Sequence, residues 1–252
     1  MTIVFDTETT GKADFKLPPE HPSQPRMVQL GAILLNEELE TVGELNCIIK
    51  PVGFTISDEV AAIHGITQAK AEKYGVSEHG VLLLFREWLL TAKCLVAHNI
   101  QFDGIVLGRA MAVHELKVDR MPEPYCTMKS SMNICRLPGG FGGQPKWPKL
   151  EEAHQCLFGV GFEGAHDAMA DVRACARVYE KLIHGDRPAQ PAQNRPIPVE
   201  QTPDIEYDDD TPMPFGKWKG TPLGRLPESY VQWMYDQESL SDRRLVAWLH
   251  GK

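Results

Sequence analysis

The amino-terminal segment combines an apolar β-strand pattern with two acidic residues, and this combination constrains the fold most strongly. Residues 3–5 are Ile-Val-Phe and predict a buried strand over Thr2–Thr7 that ends in a Thr-Gly turn. Asp6 and Glu8 are two positions apart, so their side chains point to the same side of the strand. Neighbouring carboxylates that lose hydration are stable as anions only beside a cation. The segment therefore predicts either a divalent metal site or a strand end whose acids face solvent.

A second acidic motif follows a short apolar run in the middle of the chain. Cys94–Ala97 predicts a buried strand, and the sequence continues His-Asn-Ile-Gln-Phe-Asp up to Asp103. Asp103 opens a predicted helix over Asp103–Leu116, where an acid also serves as an N-cap or as a favourable first-turn charge. The motif alone leaves a structural and a metal-binding role open.

A third motif pairs a histidine with an acid. Asp171 lies among alanine and valine in a predicted helix over Asp167–His184, where aspartate has poor helical propensity. His166 precedes Asp171 by five residues, at or before the helix start. A lone histidine there more often caps a helix than acts as a catalyst.

The remaining pattern predicts a mixed α/β domain. A helix over Ser57–His64 is expected to begin with Ser57 as its N-cap, and Val60 and Ile63 would share one face. Three leading strands followed by alternating helix and strand favour a mixed sheet covered by helices. The other expected elements are strands over Met27–Asn36 and Glu44–Ile49, helices over Val81–Lys93 and Leu150–Phe158, and a Gly/Pro-rich loop over Leu137–Pro148.

Composition divides the chain into three parts. Residues 1–184 carry the strand and helix patterns and are expected to form one domain. Residues 185–211 hold seven acids, two bases and almost no large apolar side chains, which predicts a linker. Residues 212–252 are apolar and aromatic again and predict a small C-terminal module. Because much of the formal net charge of −8 lies in the linker, the total does not exclude a polyanionic partner.

The sequence lacks the usual features of exported or membrane proteins. No apolar run approaches the roughly 20 residues of a membrane span, and no secretory signal is expected at the start. The six cysteines form no C-x-x-C pair, which argues against a zinc knuckle or a thioredoxin-type site. We therefore expect a cytoplasmic protein with buried, reduced thiols and no membrane partner.

Taken in order, the three motifs resemble the DEDD-type 3′→5′ exonuclease superfamily in its histidine-containing (DEDDh, DnaQ-like) branch. That branch includes the proofreading exonuclease subunit of bacterial DNA polymerase III. Residues 5–11 read Phe-Asp-Thr-Glu-Thr-Thr-Gly, and Asp103, His166 and Asp171 complete the set. All four acids and the histidine are present in the family's order, so the composite signal is much more specific than any one motif.

Two shorter matches lie between these motifs. Residues 63–67, Ile-His-Gly-Ile-Thr, look like the family's His-Gly-Ile-Thr segment. Residues 126–129 stand where the family has a strand ending in Cys-Thr or Asp-Thr. The resemblance covers residues 1 to about 184 and implies a ribonuclease H-like exonuclease fold, a mixed five-stranded sheet flanked by helices.

The resemblance implies a metal-dependent 3′→5′ exonuclease that removes nucleoside 5′-monophosphates from DNA 3′ ends. Two divalent ions, Mg²⁺ or Mn²⁺, are expected among the four acids, where they activate the attacking water and stabilise the leaving oxygen. By family role, Asp6 bridges both ions, Asp171 holds the nucleophile-side ion and Asp103 supports the leaving-group side. Glu8 also contacts the attacking water, and His166 is the expected general base.

The same resemblance implies a set of substrate contacts. The terminal ribose is expected near Thr9 and Glu8, and the last bases near Phe102 and the segment of Ile63 and His64. Phe102 as a core residue and His64 as a turn hydrogen-bonding residue are equally open. The expected partner is single-stranded DNA or a frayed DNA 3′ end, and the sequence identifies no polymerase partner. The implied substrate-binding residues are Thr9, Ile63, His64, Asn99 and Phe102.

The C-terminal part carries a pattern of its own. Residues 213–235 are similar to the small C-terminal module of exonuclease X-like proteins. Two roles are open for its side chains. A basic and aromatic cluster could hold a single strand, through Lys217, Trp218, Lys219 and Arg225. The aromatic residues could instead form the core of a mini-domain, through Phe215, Trp218, Trp233 and Trp248.

Three alternatives remain at the level of sequence. The same chemistry acts on RNA or short oligonucleotides in this fold, and sequence shows no contact to a 2′-hydroxyl. A non-catalytic nucleic-acid-binding module would be missing an acid or the histidine, and none is missing. A non-nuclease two-metal phosphohydrolase is disfavoured because His-rich metal motifs are absent from the sequence.

Overall fold

The computed structural model describes residues 1–165, 167–185, 208–213, 218, 220–235 and 248. The chain forms two compact units, Met1–Ala192 and Gln193–Lys252. The division falls within the segment that composition predicts as a linker. The domain boundaries drawn from composition, 1–184, 185–211 and 212–252, stay predictions.

The described residues of the first unit form one mixed sheet of five strands. The strands are β1 Thr2–Thr9, β2 Met27–Leu35, β3 Thr41–Ile48, β4 Cys94–Ala97 and β5 Glu123–Cys126. Their order is β3-β2-β1-β4-β5; β2 is antiparallel to both β1 and β3, whereas β1, β4 and β5 are parallel. The central strand is therefore the one that carries Asp6 and Glu8.

Seven α-helices among the described residues of the first unit flank this sheet, which confirms the expected ribonuclease H-like architecture. They are α1 Asp58–His64, α2 Gln68–Tyr74, α3 Glu78–Thr91, α4 Ile100–Val113, α5 Thr127–Cys135, α6 Leu150–Phe158 and α7 Ala168–His184. Ser57 caps α1 as predicted, since its side chain accepts a hydrogen bond from the Val60 amide. Ile63, expected to share the apolar face with Val60, is instead 58% exposed.

Two helices begin earlier than the pattern suggests. α3 starts at Glu78, because the Ser77 side chain accepts a hydrogen bond from the Gly80 amide and caps it. α4 starts at Ile100, so Asp103 lies inside its first turn and does not open the helix. The Leu137–Pro148 stretch is a loop as expected, apart from a short 3₁₀ turn at Phe141–Gly143.

The side chains of β1 alternate between two cores. Ile3 and Phe5 pack on one face of the sheet, in a cluster with apolar residues of α3 and α4. Val4 packs on the other face against Val172 and Cys175 of α7. Alternation along the strand then directs positions 6 and 8 towards α7, and position 7 towards α4.

The cysteines differ from the expectation of reduced thiols. Cys135 at the end of α5 and Cys156 in α6 form a disulfide, with Cα atoms 5.8 Å apart. The expectation was wrong for this pair because the two residues meet only when α5 packs against α6. Disulfides are rare in cytosolic proteins, so this pair removes one argument for a cytoplasmic location. The other cysteines are free: Cys47, Cys94, Cys126 and Cys175.

The second unit has a small apolar core of its own. It contains α8 (Glu228–Tyr235) and a 3₁₀ turn at Leu223–Arg225. Trp248 is buried there and its indole N–H donates to the Asp209 carboxylate over 3.0 Å, while Trp218 is partly buried against the same core. The core role is thus observed for these two tryptophans. Phe215, Lys217, Lys219 and the Trp233 side chain lie outside the described residues. The buried core residues are Met213, Leu223, Leu226, Met234 and Trp248.

None of the described helices is both long and apolar enough to cross a lipid bilayer.

The first turn of α7 lies directly on β2 at Gly31. An added Cβ there would lie 2.8 Å from the backbone carbon of Ala168 and 2.9 Å from its oxygen. Gly31 is also the partner of Asp6 in the pairing of β1 with β2. Glycine at this position therefore lets the helix that carries Asp171 approach the strand that carries Asp6.

We predict that Gly31→Ala destabilises the protein. The new methyl group overpacks the contact between β2 and the α7 backbone, which costs about 1–3 kcal/mol. Urea unfolding monitored by circular dichroism measures the loss. Gly104→Ala is the matched control, because nothing lies within 4 Å of its added Cβ, and in a helix this change stabilises by about 0.5–1 kcal/mol. Equal unfolding free energies for Gly31→Ala and wild type would contradict the close-packing argument.

Candidate active site

The carboxyl end of β1 gathers three acidic side chains. Asp6 and Glu8 continue the strand face that packs against α7, and Asp171 lies in the first turn of α7. Carboxylate oxygens of these three residues lie within 4.8 Å of one another. The structure thus brings together three of the four predicted metal ligands.

Asp103 reaches the same strand from the opposite face of the sheet. It is buried in the first turn of α4, with 3% of its surface exposed. Its Oδ1 accepts hydrogen bonds from the Thr7 amide over 3.1 Å and from the Thr7 hydroxyl over 2.8 Å. Thr7 therefore ties Asp103 to β1 between Asp6 and Glu8. Asp103 is outside the 4.8 Å grouping of the other three acids, but its charge raises the pKa of Asp6 more than the charge of Asp171 does, so it lies beside the cluster.

The start of α7 is fixed by its own cap. The Asp167 side chain accepts hydrogen bonds from the amides of Met169 and Ala170, each over 3.1 Å. Asp171 is one turn further along the helix, where a negative charge interacts favourably with the helix dipole. The position of Asp171 near the start of α7 therefore offsets the poor helical propensity of aspartate. Asp167 is also a fifth acid near Asp6 and Glu8, in addition to Asp103 and Asp171.

The acids raise one another's pKa values. Loss of hydration raises the pKa of Asp6 well above its ordinary value, and the charges of Asp103 and Asp171 add to this. Burial raises the pKa of Glu8 to about 8, with further contributions from the same two neighbours. Burial also raises the pKa of Asp103 to about 7, although the hydrogen bonds from Thr7 act in the opposite direction. As bare anions, these groups therefore destabilise one another.

This donor set fits a divalent cation. Carboxylate oxygens are the ligands that Mg²⁺ and Mn²⁺ prefer, and a cation between them would offset the repulsion that raises their pKa values. Asp6, Glu8 and Asp171 would hold such an ion, with Asp103 beside them. The identity of the metal is not determined by oxygen ligands alone.

The predicted general base, His166, lies outside the described residues. It falls between the described residues Ala165 and Asp167, directly before α7. Its role stays a prediction from the resemblance.

The predicted substrate-binding residues occupy different environments. Thr9 is buried at the end of β1, and its hydroxyl donates to the Gly11 carbonyl over 2.7 Å. His64 is buried, and its Nδ1 accepts a hydrogen bond from the Ile66 amide over 3.1 Å, which is the turn role left open from the sequence. Burial lowers the pKa of His64, whereas a hydrogen bond with the Thr9 backbone acts in the opposite direction.

The other three predicted substrate-binding residues are Ile63, Asn99 and Phe102, and they lie in different environments. Ile63 has 58% of its surface exposed, so its side chain is accessible to a bound substrate. Asn99 has a left-handed backbone with φ 75° immediately before α4. Phe102 is partly buried against the core shared by α3 and α4, in line with its alternative role as a core residue. Substrate binding by these residues stays a prediction.

Three residues with a part in this geometry were not identified from the sequence. Thr7 holds Asp103, Asp167 caps α7 and adds charge, and Gly31 permits close approach of the helix. The alternation of β1 could have pointed to Thr7, since it lies between two acids but faces the other side. Gly31 within an otherwise apolar strand could have indicated a close backbone approach.

Two family models match different parts of this chain. A family model described as an exonuclease, of the RNase T type, matches residues 3–179. A second model, described as a putative quorum-sensing-regulated virulence factor, matches residues 209–245. The resemblance of this region to exonuclease X-like modules stays a prediction. A search of curated proteins found no match.

Solved structures of Exonuclease I share the fold. The E. coli enzyme in complex with a dT13 oligonucleotide is 21% identical, with a TM-score of 0.59 over 73% of this chain and 41% of that one. A zinc-bound form of the E. coli enzyme with single-stranded DNA is 22% identical, with a TM-score of 0.58 over 75% and 41%. A moderately thermophilic Exonuclease I from Methylocaldum szegediense is 23% identical, with a TM-score of 0.57 over 75% and 41%.

The match therefore spans about two fifths of the length of these enzymes. At this identity the likeness shows a common fold. Membership of a family follows from the family model, which covers most of the chain and includes Asp6, Glu8, Asp103 and Asp171. The chain belongs to the RNase T exonuclease family.

Proposed function

We propose that this protein is a metal-dependent 3′→5′ exonuclease that releases nucleoside 5′-monophosphates from DNA 3′ ends. The observation that carries the proposal is the cluster of carboxylate oxygens from Asp6, Glu8 and Asp171 within 4.8 Å of one another. Membership of an exonuclease family supports the reaction class. Asp103, tied to β1 by Thr7, completes the set of four acids expected for this chemistry.

The acidic residues would bind the metal ions, and His166 would transfer the proton. Two bound divalent ions would polarise the scissile phosphate and stabilise charge on the attacking and leaving oxygens. Asp6 and Asp171 would hold these ions together with Asp103, and the family roles assign Asp171 to the attacking water and Asp103 to the leaving group. Glu8 orients the water, and His166 accepts its proton. Thr7 positions the Asp103 carboxylate by fixing one of its oxygens.

The substrate we propose is a single strand or a frayed 3′ end. Solved Exonuclease I structures of the same fold contain a dT13 oligonucleotide or single-stranded DNA, which supports DNA for this chain. Ile63 is the exposed apolar side chain of the segment expected to meet the last bases. A cytoplasmic location stays a prediction.

We predict that nuclease activity depends on Asp6. With a 5′-labelled single-stranded DNA and Mg²⁺ or Mn²⁺, the wild-type protein should produce a ladder of shortened products that retain the label. EDTA or Asp6→Ala should abolish the ladder. Asp119→Ala removes an exposed acid before β5 and should leave it unchanged. An RNA of the same sequence, run in parallel, tests the alternative substrate. Failure to degrade either strand with any divalent metal would overturn the proposed function.

We predict a second effect on catalysis at His166. Without the general base, His166→Ala should lower the cleavage rate by roughly 10²–10⁴-fold while metal binding is retained. Rates come from single-turnover cleavage, and metal binding from the rise in melting temperature on adding Mn²⁺. His184→Ala, an exposed histidine at the other end of α7, is the matched control. Equal rates for His166→Ala and wild type would remove this assignment.

We predict a pH-dependent stability that divalent ions suppress. The folded protein holds protons on Glu8 and Asp103 up to pH values near 8 and 7, whereas the unfolded chain releases them near pH 4. In EDTA, the free energy of unfolding should therefore fall as the pH rises from about 4 to 8. Mn²⁺ or Mg²⁺ should reduce this fall, and Glu8→Gln should make it shallower. Urea titrations across this range measure it, and a pH-independent free energy in EDTA would contradict the electrostatic account.

A further inference from the structure

The segment between α5 and α6, residues 136–149, has a composition unlike the rest of the first unit. Its fourteen residues include three bases and no acid. Three glycines with positive φ, of 105°, 64° and 78°, shape its turn, a conformation that other residues rarely adopt. They are Gly139, Gly142 and Gly143. The segment also carries two exposed aromatic rings, those of Phe141 and Trp147.

The exposure of Trp147 is imposed by its neighbours. The Lys146 amide donates to the Leu137 carbonyl over 2.9 Å. Pro148 is buried, and its carbonyl accepts a hydrogen bond from His98 Nε2 over 2.9 Å. Between these two fixed positions, Trp147 leaves 60% of its surface in solvent. A large apolar ring is thus held in water on an ordered backbone.

This ring lies at the same edge of the sheet as the acidic cluster. β4 runs parallel to β1 and pairs with it as far as Val96 opposite Val4. His98 directly follows the carboxyl end of β4, and Asp6 and Glu8 lie at the carboxyl end of β1, so both ends meet the same edge of the sheet. The hydrogen bond from His98 therefore holds Pro148, the neighbour of Trp147, at the edge that carries the proposed active site.

The charge of the segment suits an anion. Glu152 pairs with Lys146, which leaves Arg136 and Lys149 as the remaining charges of the segment. Basic residues interleaved with exposed aromatic rings are typical of surfaces that bind single-stranded nucleic acid, since any base can stack on a ring.

We propose that the 136–149 segment is a contact site for the single strand whose 3′ end enters the active site. The Trp147 indole stacks on an unpaired base upstream of the terminal nucleotide, and Phe141 stacks on a base further along. Arg136 and Lys149 face the phosphates between them. This assignment rests on the proposed exonuclease function, because the strand that the segment contacts is the substrate of that reaction.

Binding of a short and a long ligand tests this contact in the full-length protein. The long ligand is a fluorescein-labelled oligothymidylate of about 15 nucleotides with a phosphorothioate at its 3′ linkage, and its affinity is measured by fluorescence anisotropy in EDTA. Trp147→Ala should raise its Kd by about 10-fold or more, in line with the loss of one base-stacking contact. Trp147→Phe keeps an aromatic face and should stay within about threefold of wild type.

A second variant covers the case in which Trp147→Ala fails to fold. Phe141 is fully exposed, so Phe141→Ala removes no packing, and it should raise the Kd by at least about threefold. Leu90→Ala is the matched control, since Leu90 is 47% exposed near the end of α3, which leads to the opposite edge of the sheet. Wild-type affinity in both Trp147→Ala and Phe141→Ala would overturn the proposal.

A substrate too short to reach the segment separates this proposal from the proposed function. Cleavage of thymidine 5′-monophosphate p-nitrophenyl ester with Mn²⁺ should be equal in wild type, Trp147→Ala and Phe141→Ala. If the wild type cleaves neither this ester nor a labelled strand, the exonuclease function fails, and the binding data in EDTA still report on the segment. If the wild type cleaves and the variants bind the long ligand normally, only the segment's role fails.

Discussion

Mutual repulsion among carboxylates at the end of β1 is the constraint on which the rest of the first unit depends. Asp6 and Glu8 share one strand face, and α7 adds Asp171 to the same side. Each charge raises the pKa of its neighbours, so the folded apo protein carries an unfavourable interaction at this edge. The surrounding packing is what compensates for it. Apolar residues on both faces of the sheet hold the helices in place regardless of the charge state of the acids.

The acids of the site come from both faces of the sheet, so they converge on β1 from two sides. Asp103 comes from α4 and is held by Thr7, whereas Asp171 comes from α7 and is brought close by Gly31. Central placement of β1 makes this arrangement possible, because it has paired strands on both sides and helices on both faces. The site is therefore built on the most restrained strand of the sheet, where small displacements of a ligand side chain are least probable.

Much of this arrangement could be predicted from local sequence patterns. The predicted strands over residues 2–7 and 27–36, the Ser57 cap and helix α6 depend on periodicity and capping, which are local properties, and the structure extends the first strand to Thr9. Helix α2 could not be predicted in this way, because only Ala71 among its seven residues is buried and no apolar face results.

The features that could not be predicted from local sequence patterns depend on tertiary contacts. The Thr7–Asp103 pair joins residues 96 positions apart, and the Cys135–Cys156 pair depends on how two helices pack. The site itself was predicted through the order of its motifs, and that order identified the acids but not the faces from which they come. His166 shows the converse, since its motif is clear in the sequence while its position lies outside the described residues.

The disulfide between Cys135 and Cys156 has a topological consequence for the chain. Together with the backbone it closes a covalent ring around residues 136–155, which includes the whole basic and aromatic segment and most of α6. Closing such a ring restricts the conformations of the unfolded chain. A single proteolytic cut within the glycine-rich turn would open the ring without separating the two halves of the protein. The segment that exposes Phe141 and Trp147 is thus also a part whose cleavage leaves the molecule in one covalent piece.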